Sequence, residues 1–444
     1  MRDMTTGTAW GHLWRYAVPI LMGNWLQLAY NAIDSIIAGR FIGKEALAAE
    51  GIAAPVMNLV ILAITGMCIG TGVLMSEFFG AGDLKQYRES LGTTLCVGAA
   101  VSIVMMGICI VLTPFLLKLM AVPEEIFGIT TIYLQVIFAG MPFTFFYNAL
   151  AAGLKSVGDS KTPLKFLTVC SALNAGLDLV FLGVLHFGIV CSAVTTVVAE
   201  AVSALLTISY LRREFPELFP GRDEWKADKG HLRNIIKYGG PTALQQAVQP
   251  IGKILIQGQV NALGVTTIAA FNAVTRIDEF AFIPEQGIAA SISTFIAQNR
   301  GAKKEERIRP GFRAGLRLEV CYWALIGTLT ALFRVSVMSM FVSGEGAAEV
   351  VREGSRYLGL MAFFYLFPAF TNGFQGFYRG MGKMYTTILG TAIQIGFRTI
   401  GTYILAPQMG IVGIAYACVV GWTLMLLFEV PYYFKCVRTG VSSQ

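Results

Sequence analysis

Charge is scarce in this chain of 444 residues: Asp, Glu, Lys and Arg together make up 14%, against about a quarter in a soluble globular domain. Histidine is scarcer still. His12, His186 and His231 are the three present, and their scatter argues against a histidine-based metal centre. Eight cysteines (Cys68, Cys96, Cys109, Cys170, Cys191, Cys321, Cys418 and Cys436) show no C-x-x-C spacing. That excludes the usual zinc, redox and disulfide patterns and leaves small buried hydrophobes as their reading. No polar stretch is long enough for a water-facing domain. The longest, Arg212 to Lys237, has room for a loop or a short amphipathic helix. Neither G-x-S-x-G nor H-E-x-x-H occurs, so an intramembrane enzyme would lack its nucleophile or its metal ligands.

What is abundant is apolar sequence: 55% of the residues, with a mean hydropathy of +0.62. It is organised in runs of the roughly 20 residues that cross the hydrocarbon core of a bilayer. Twelve spans are predicted, near 14–38, 50–77, 90–117, 127–152, 163–184, 188–211, 234–260, 267–297, 314–341, 356–378, 384–405 and 410–434. The first run is too long for a signal-peptide core and lacks a small-residue cleavage site, so it is expected to stay in the mature protein. With the N-terminus placed inside, about 25 of the 34 basic residues fall in inner loops and about six in outer ones. This predicts a multi-pass protein of the cytoplasmic membrane with both termini cytoplasmic. It also accounts for the net charge of +7 without nucleic acid.

The chain repeats itself with a period of about 221 residues. Tyr16-Ala-Val-Pro19 aligns with Tyr238-Gly-Gly-Pro241, Phe79-Gly-Ala81 with Arg300-Gly-Ala302, and Gly188-Ile-Val190 with Gly410-Ile-Val412. Six spans per half is an even number, so both halves enter the membrane from the same side and the repeat is parallel. The expected fold is an all-α polytopic membrane protein. Its twelve transmembrane helices form two six-helix bundles related by a pseudo-two-fold axis along the membrane normal. The lobes are 1–211 and 234–444, joined by a cytoplasmic linker over 212–233. Two lobes so related leave a central cleft and suit alternating access.

Charges inside spans are costly and default to functional candidates. In the first span Asn24, Gln27, Asn31 and Asp34 recur every three or four residues, with Tyr30 four before Asp34, so they share one helical face. Asp178 lies in the fifth span, one turn after Asn174. Asn148 in the fourth span and Thr195 and Thr196 in the sixth add uncharged oxygens. Two carboxylates with amide and hydroxyl oxygens from several helices suit a small cation site. The same pair suits proton carriage, since burial and like charge both favour the protonated form. Interhelical hydrogen bonding alone is the other reading. The second half offers Ile256 and Thr402 where Asp34 and Asp178 align, so the ion chemistry is expected in the first lobe. The second half carries Lys253, Arg276, Asp278, Glu279, Glu285 and Arg398 instead. A Lys253–Glu285 pair and a substrate contact are both open for Glu285.

Pro19, Gly23-Asn24, Gln27, Tyr30-Asn31, Asp34-Ser35 and Gly39-Arg40 closely resemble the first helix of the multidrug and toxic compound extrusion (MATE) family, bacterial type. Asn174-Ala-Gly-Leu-Asp178 resembles its fifth-helix pair. Gly153-Leu-Lys-Ser-Val-Gly158, Gln298-Asn-Arg-Gly-Ala302 and Arg379-Gly380 resemble its loop motifs. The resemblance covers about residues 12 to 435, and the order of the motifs together with the repeat is specific.

The resemblance implies two bundles around a V-shaped cavity and export of organic cations and drugs in exchange for H⁺ or Na⁺. No resident cofactor is implied, and no metal beyond a Na⁺ at the coupling site. It carries a cation site over to Asp34, Asn174, Asp178 and Thr196, with Tyr30, Asn31, Asn148 and Glu200 as the surrounding network and Pro19 as hinge. Gln27, Gln249, Lys253 and Glu285 are the candidates for the substrate cavity. Where some members have a Glu in the seventh helix this chain has Gln249, and the stretch before Arg379 offers no Asp. Small organic cations and membrane lipid are the expected partners, and a monomer the expected state. A lipid or lipid-linked oligosaccharide flippase of the same superfamily is the alternative. It should carry several cavity arginines, and Arg276 and Arg398 are the intramembrane candidates.

Overall fold

The computed structural model describes residues 3–41, 44–342 and 346–438, and the side chains among them other than those of 31–41, 44–47 and 438. The described residues are helical nearly throughout. In the first half run α1 (Ala9–Phe41), α2 (Lys44–Gly80), α3 (Leu84–Leu119), α4 (Glu124–Ala139), α5 (Met141–Ser156), α6 (Lys161–Asp178) and α7 (Ile189–Glu214). In the second run α8 (Lys229–Ala262), α9 (Val265–Gly301), α10 (Ile308–Phe341), α11 (Ala347–Phe364), α12 (Leu366–Gly380), α13 (Met384–Met409) and α14 (Ile411–Arg438). Fourteen helices make twelve spans because α4 and α5 form one span bent by 41°, and α11 and α12 one bent by 45°. Eight further helices are long and apolar enough to cross a bilayer singly. The remaining two, α1 and α8, have 33 and 34 residues and carry the amides that lower their hydropathy. Val111, Leu332 and Met340 leave more than two-thirds of their surface uncovered, as lipid-facing side chains do.

The internal repeat extends to backbone hydrogen bonds. After α2, Gly82 adopts φ 73° and its N–H reaches the carbonyl of Phe79, while Asp83 reaches Phe78. After α9, Lys303 adopts φ 57° and reaches Arg300, while Lys304 reaches Asn299. These are the same left-handed helix stop, 221 residues apart. Gly158 and Gly382 repeat the device after α5 and α12, with bonds to Lys155 and Arg379.

The chain divides into two compact units, Met1–Asp3 with Met22–Ala247, and Met4–Leu21 with Val248–Gln444. This division differs from lobes of 1–211 and 234–444 in where α1 and α8 fall: each is split near its middle. In the first unit, the start of α8 packs on α2 through glycine. A Cβ on Gly70 would lie 2.3 Å from the Tyr238 carbonyl oxygen, so only glycine allows that approach. The segment 215–228 is no loose linker. Arg88 on α3 pairs with Glu224 at 2.9 Å and donates to the Glu217 carbonyl, and Thr93 donates to the Lys226 carbonyl. Asp228 then accepts from the His231 N–H at 2.9 Å at the start of α8.

In the second unit, the segment before α1 is clipped to the end of α9. Met4 donates its N–H to Gln298 Oε1 at 3.0 Å, and its carbonyl accepts from Asn299 Nδ2. Arg307 and Lys304 donate to the carbonyls of Thr6, Gly7 and Thr5. The Gln298-Asn299 motif therefore holds backbone. The core of this unit gathers Val260, Val274, Met338, Leu358, Met361 and Ile414.

Candidate functional site

The fifth span places Asn174 and Asp178 one turn apart on α6, both buried. Directly after Asp178 the helix widens into a π-helical turn, Leu179–Val184, a local distortion that recurs at functional sites. Facing this pair, α7 presents Ser192, Thr195 and Thr196. Thr195 donates its hydroxyl to Asp178 Oδ1, and Asn174 Nδ2 reaches Thr196 Oγ1 at 3.5 Å. Both threonines also lie on the Ser192 carbonyl, at 2.8 and 3.0 Å. From α1, Tyr30 donates its hydroxyl to Asn174 Oδ1. Three helices thus bring a carboxylate, an amide and three hydroxyls together, all within the first unit.

A second polar group adjoins on α7. Glu200 lies one turn beyond Thr196 and accepts from Thr144 Oγ1 of α5 at 2.6 Å. Asn148, one turn after Thr144, donates to its carbonyl at 2.8 Å. Gly140, where α4 bends into α5, lies against Glu200 and Val197. Glu200 and Asn148 therefore meet at Thr144. The side chains of Asn31 and Asp34 lie outside the described residues, although α1 runs through both positions.

Thr195 donates directly to Asp178, while Thr196 joins the cluster through Asn174. Thr144 and Ser192 were legible as positions one turn before Asn148 and Thr196, but nothing in a single sequence marks a hydroxyl or a carbonyl as a partner.

Of the four residues proposed for the substrate cavity, Gln27 belongs to the first unit and Gln249, Lys253 and Glu285 to the second; Gln27 and Gln249 are half-buried. Lys253 is exposed and pairs with Glu279 at 3.2 Å, not with Glu285. Glu285 is wholly buried and accepts from Asn372 Nδ2 at 3.4 Å. Pro19 lies in the part of α1 that packs with the second unit, two residues before the division.

The second half, whose spans carry Asp278 and Glu285 in the sequence, buries carboxylates as well. Asp278, Glu285, Glu319 and Glu429 are all buried in the second unit. Asp278 accepts from Tyr357 and Tyr365, and Glu429 from Gln375 at 2.9 Å. Glu319 neighbours Glu285, and neither of its oxygens has a hydrogen-bond partner among the described residues. Glu319 and Glu429 escape a search by repeat because their counterparts in the first half are not acidic. An isolated Glu in each apolar run was the available signal. No group of three metal-ligating side chains occurs among the described residues.

A family model described as MatE matches residues 19–180 and 241–404. A relative from Bacillus subtilis (strain 168), described as the probable multidrug resistance protein YpnP, is 28% identical over 86% of this chain and 85% of its own length. The probable multidrug resistance protein NorM of Thermotoga maritima is 24% identical over 86% of this chain and 82% of its own. A solved structure described as the outward-facing conformation of a multidrug resistance MATE family transporter of the MOP superfamily superposes with a TM-score of 0.91. It is 20% identical and covers 98% of this chain and 97% of its own, a likeness of fold.

Proposed function

Because the chain belongs to the MatE family, we propose that it is an antiporter that exports small organic cations and drugs in exchange for H⁺ or Na⁺. Membership of the family makes it a multi-pass membrane transporter of the multidrug-efflux type, not an enzyme. The coupling ion binds at Asp34, Asn174, Asp178 and Thr196, with Thr195 as an added ligand or donor. The membrane is the cytoplasmic one, both termini are cytoplasmic, and the working unit is a monomer without a resident cofactor.

One observation carries this reading. Asp178 is wholly buried within a membrane bundle, and the groups around it are amides and hydroxyls. A carboxylate buried within a span is costly when charged, so it suits binding a proton or a small cation. In the outward-open state the ion is taken up. Neutralising the site lets α1 bend near Pro19, and substrate is released. Return inward and release of the ion reset the cycle. The ion drives this switch only by its difference in affinity for the two states. Moving a population from 1:99 to 99:1 takes about 5.5 kcal/mol of that difference.

The experiment is efflux of a fluorescent organic cation from proteoliposomes under separately imposed Na⁺ and pH gradients. Efflux driven by one gradient, and lost in Asp34→Asn, is the expected result. Wild-type efflux from that variant, or ion flow without exchange, would sink the proposal.

A further inference from the structure

On α10 three arginines follow one another at intervals of four, Arg309, Arg313 and Arg317, and all three are exposed. That spacing aligns them on one helical face. None forms an ion pair or hydrogen bond among the described residues. Continued in steps of four, the row winds through Cys321 to exposed Leu325, turning about 40° around the helix at each step, so it passes from guanidinium groups to lipid-facing hydrocarbon within a few turns. The helix begins at Ile308, and the positive end of its dipole adds to the arginine charge.

At the Arg317 end of this stripe the second unit has a cleft of about 570 Å³, lined by Trp10, Leu316, Arg317, Val320, Cys321 and Phe370. Apart from Arg317 its walls are apolar. Trp10 stacks on Trp14 with ring centroids 6.3 Å apart, and both remain almost half exposed. Half-exposed tryptophan beside a basic stripe is the chemistry of the bilayer headgroup level. A ligand that matches the whole surface has a negative head for the arginines and a hydrocarbon chain for the cleft. An organic cation fails the first requirement, and a free anion leaves the cleft unfilled.

We propose that this cleft and stripe form a binding site for one anionic phospholipid, its phosphate on Arg313 and Arg317 and an acyl chain between Trp10 and Phe370. Basic pockets between transmembrane helices hold such headgroups elsewhere. The site lies within the second unit, away from Asp178, and does not depend on the antiport reading. Charge selects the headgroup, and the cleft retains any chain of suitable length.

Tryptophan fluorescence of the full chain, reconstituted in bilayers containing a small fraction of brominated lipid, tests this directly. Brominated phosphatidylglycerol should quench more strongly than brominated phosphatidylcholine at equal fraction. The difference should shrink in Trp10→Phe, which removes the tryptophan that lines the cleft and leaves Trp14 beside it. In Arg313→Gln/Arg317→Gln the preference should fall roughly fivefold per arginine. Arg352→Gln, which removes one arginine charge on α11, should leave the preference intact. Native mass spectrometry should show phosphatidylglycerol retained over phosphatidylcholine by the wild type and by Arg352→Gln, and not by the double arginine variant. Equal quenching by the two lipids, a preference surviving the double variant, or an equal loss in Arg352→Gln would overturn the proposal. So would a dimer that the double substitution dissociates, which would assign the face to a second copy.

Discussion

Tyr365, at the bend between α11 and α12, donates its hydroxyl to Asp278 Oδ1 of α9 at 2.6 Å, while Tyr357 serves the other oxygen at 3.1 Å. The two phenols hold a buried carboxylate and, through it, fix the bent span to α9. Removing one donor leaves a buried oxygen without its bond. Interhelical hydrogen bonds in membranes average about 0.6 kcal/mol and reach about 1.7. Tyr365→Phe should therefore lower stability by about 1 kcal/mol, and Asp278→Leu by more, since it strands both phenols. Thermal unfolding in detergent, followed by a thiol-reactive dye, gives the readout, because Cys68, Cys170 and Cys418 are buried thiols outside any disulfide. An unchanged Tm in Asp278→Leu would remove the structural role assigned to this carboxylate.

At the first-unit site, Thr195 and Thr196 are expected to differ. Thr195→Val removes the hydroxyl that Asp178 accepts from, while Thr196→Val removes the contact with Asn174. Loss of one such bond is worth about 1 kcal/mol, or roughly a fivefold change in ion affinity. Thr195→Val should shift the ion dependence of efflux by about that factor, and Asp178→Asn should abolish coupling. Efflux measured against external pH and against Na⁺ separates the cases. An identical ion dependence in Thr195→Val and wild type would place the coupling ion elsewhere.

Much of the fold is legible in the sequence because a bilayer imposes one rule: apolar runs of spanning length must be helices. The twelve predicted spans fall within the observed helices. The bends at Gly140 and Tyr365 stand just before Pro142 and Pro368, a helix-breaking signal that the length of an apolar run does not register. The division of α1 and α8 between units was hidden for a related reason. Hydropathy reports burial but does not name the neighbour. At the site, the spacing of Asn174, Asp178 and Tyr30 located the cluster. The preference of Asp178 for Thr195 over Thr196 depends on the rotation of α7, which an apolar run does not reveal. Glu319 and Glu429 needed contacts across the second unit to be seen as a set with Glu285.

Glu319 is the clearest case of a buried group without compensation. Its oxygens lack hydrogen-bond partners among the described residues, and its neighbour Glu285 has Asn372 alone at one oxygen. Uncompensated buried polar groups cost about 1–3 kcal/mol by mutational measures, and apolar replacements of similar volume are often neutral or stabilising. Glu319→Gln and Glu319→Met should therefore keep or raise the Tm, by up to about 2 kcal/mol in stability. Glu319→Ala should lower it by opening a cavity against Gly373 and Leu316. A marked fall in Tm for Glu319→Met would show that the carboxyl makes an interaction of its own.

The start of α8 should loosen in acid. The Asp228 carboxylate is held below its ordinary pKa of 3.8, chiefly by the backbone N–H of His231. A depressed folded-state pKa contributes stability above the unfolded value and loses it as pH falls through the folded one. Hydrogen exchange over 229–233 should thus be unchanged from pH 7 to about 5 and quicken below about 4, after correction for intrinsic rates. Asp228→Asn caps a helix equally well without titrating, so its protection should be flat over that range. The same acid-dependent loss in the variant would trace the effect to another group.

The repeat offers a matched pair of turns. Gly82 and Lys303 fill the same left-handed position, 221 residues apart, with the same two backbone hydrogen bonds. Glycine adopts that conformation without a side-chain penalty, whereas an L side chain costs about 1 kcal/mol there. Lys303 is exposed, so its replacement removes no packing. Lys303→Gly should stabilise the second unit by about 0.5–1 kcal/mol, offset in part by the greater freedom of glycine in the unfolded chain. Gly82→Lys should destabilise the first unit by about 1 kcal/mol. Thermal unfolding of both variants measures this, with Lys303→Gln separating loss of charge from relief of strain. If Lys303→Gln stabilises as much as Lys303→Gly, charge rather than backbone geometry sets the energy of that turn.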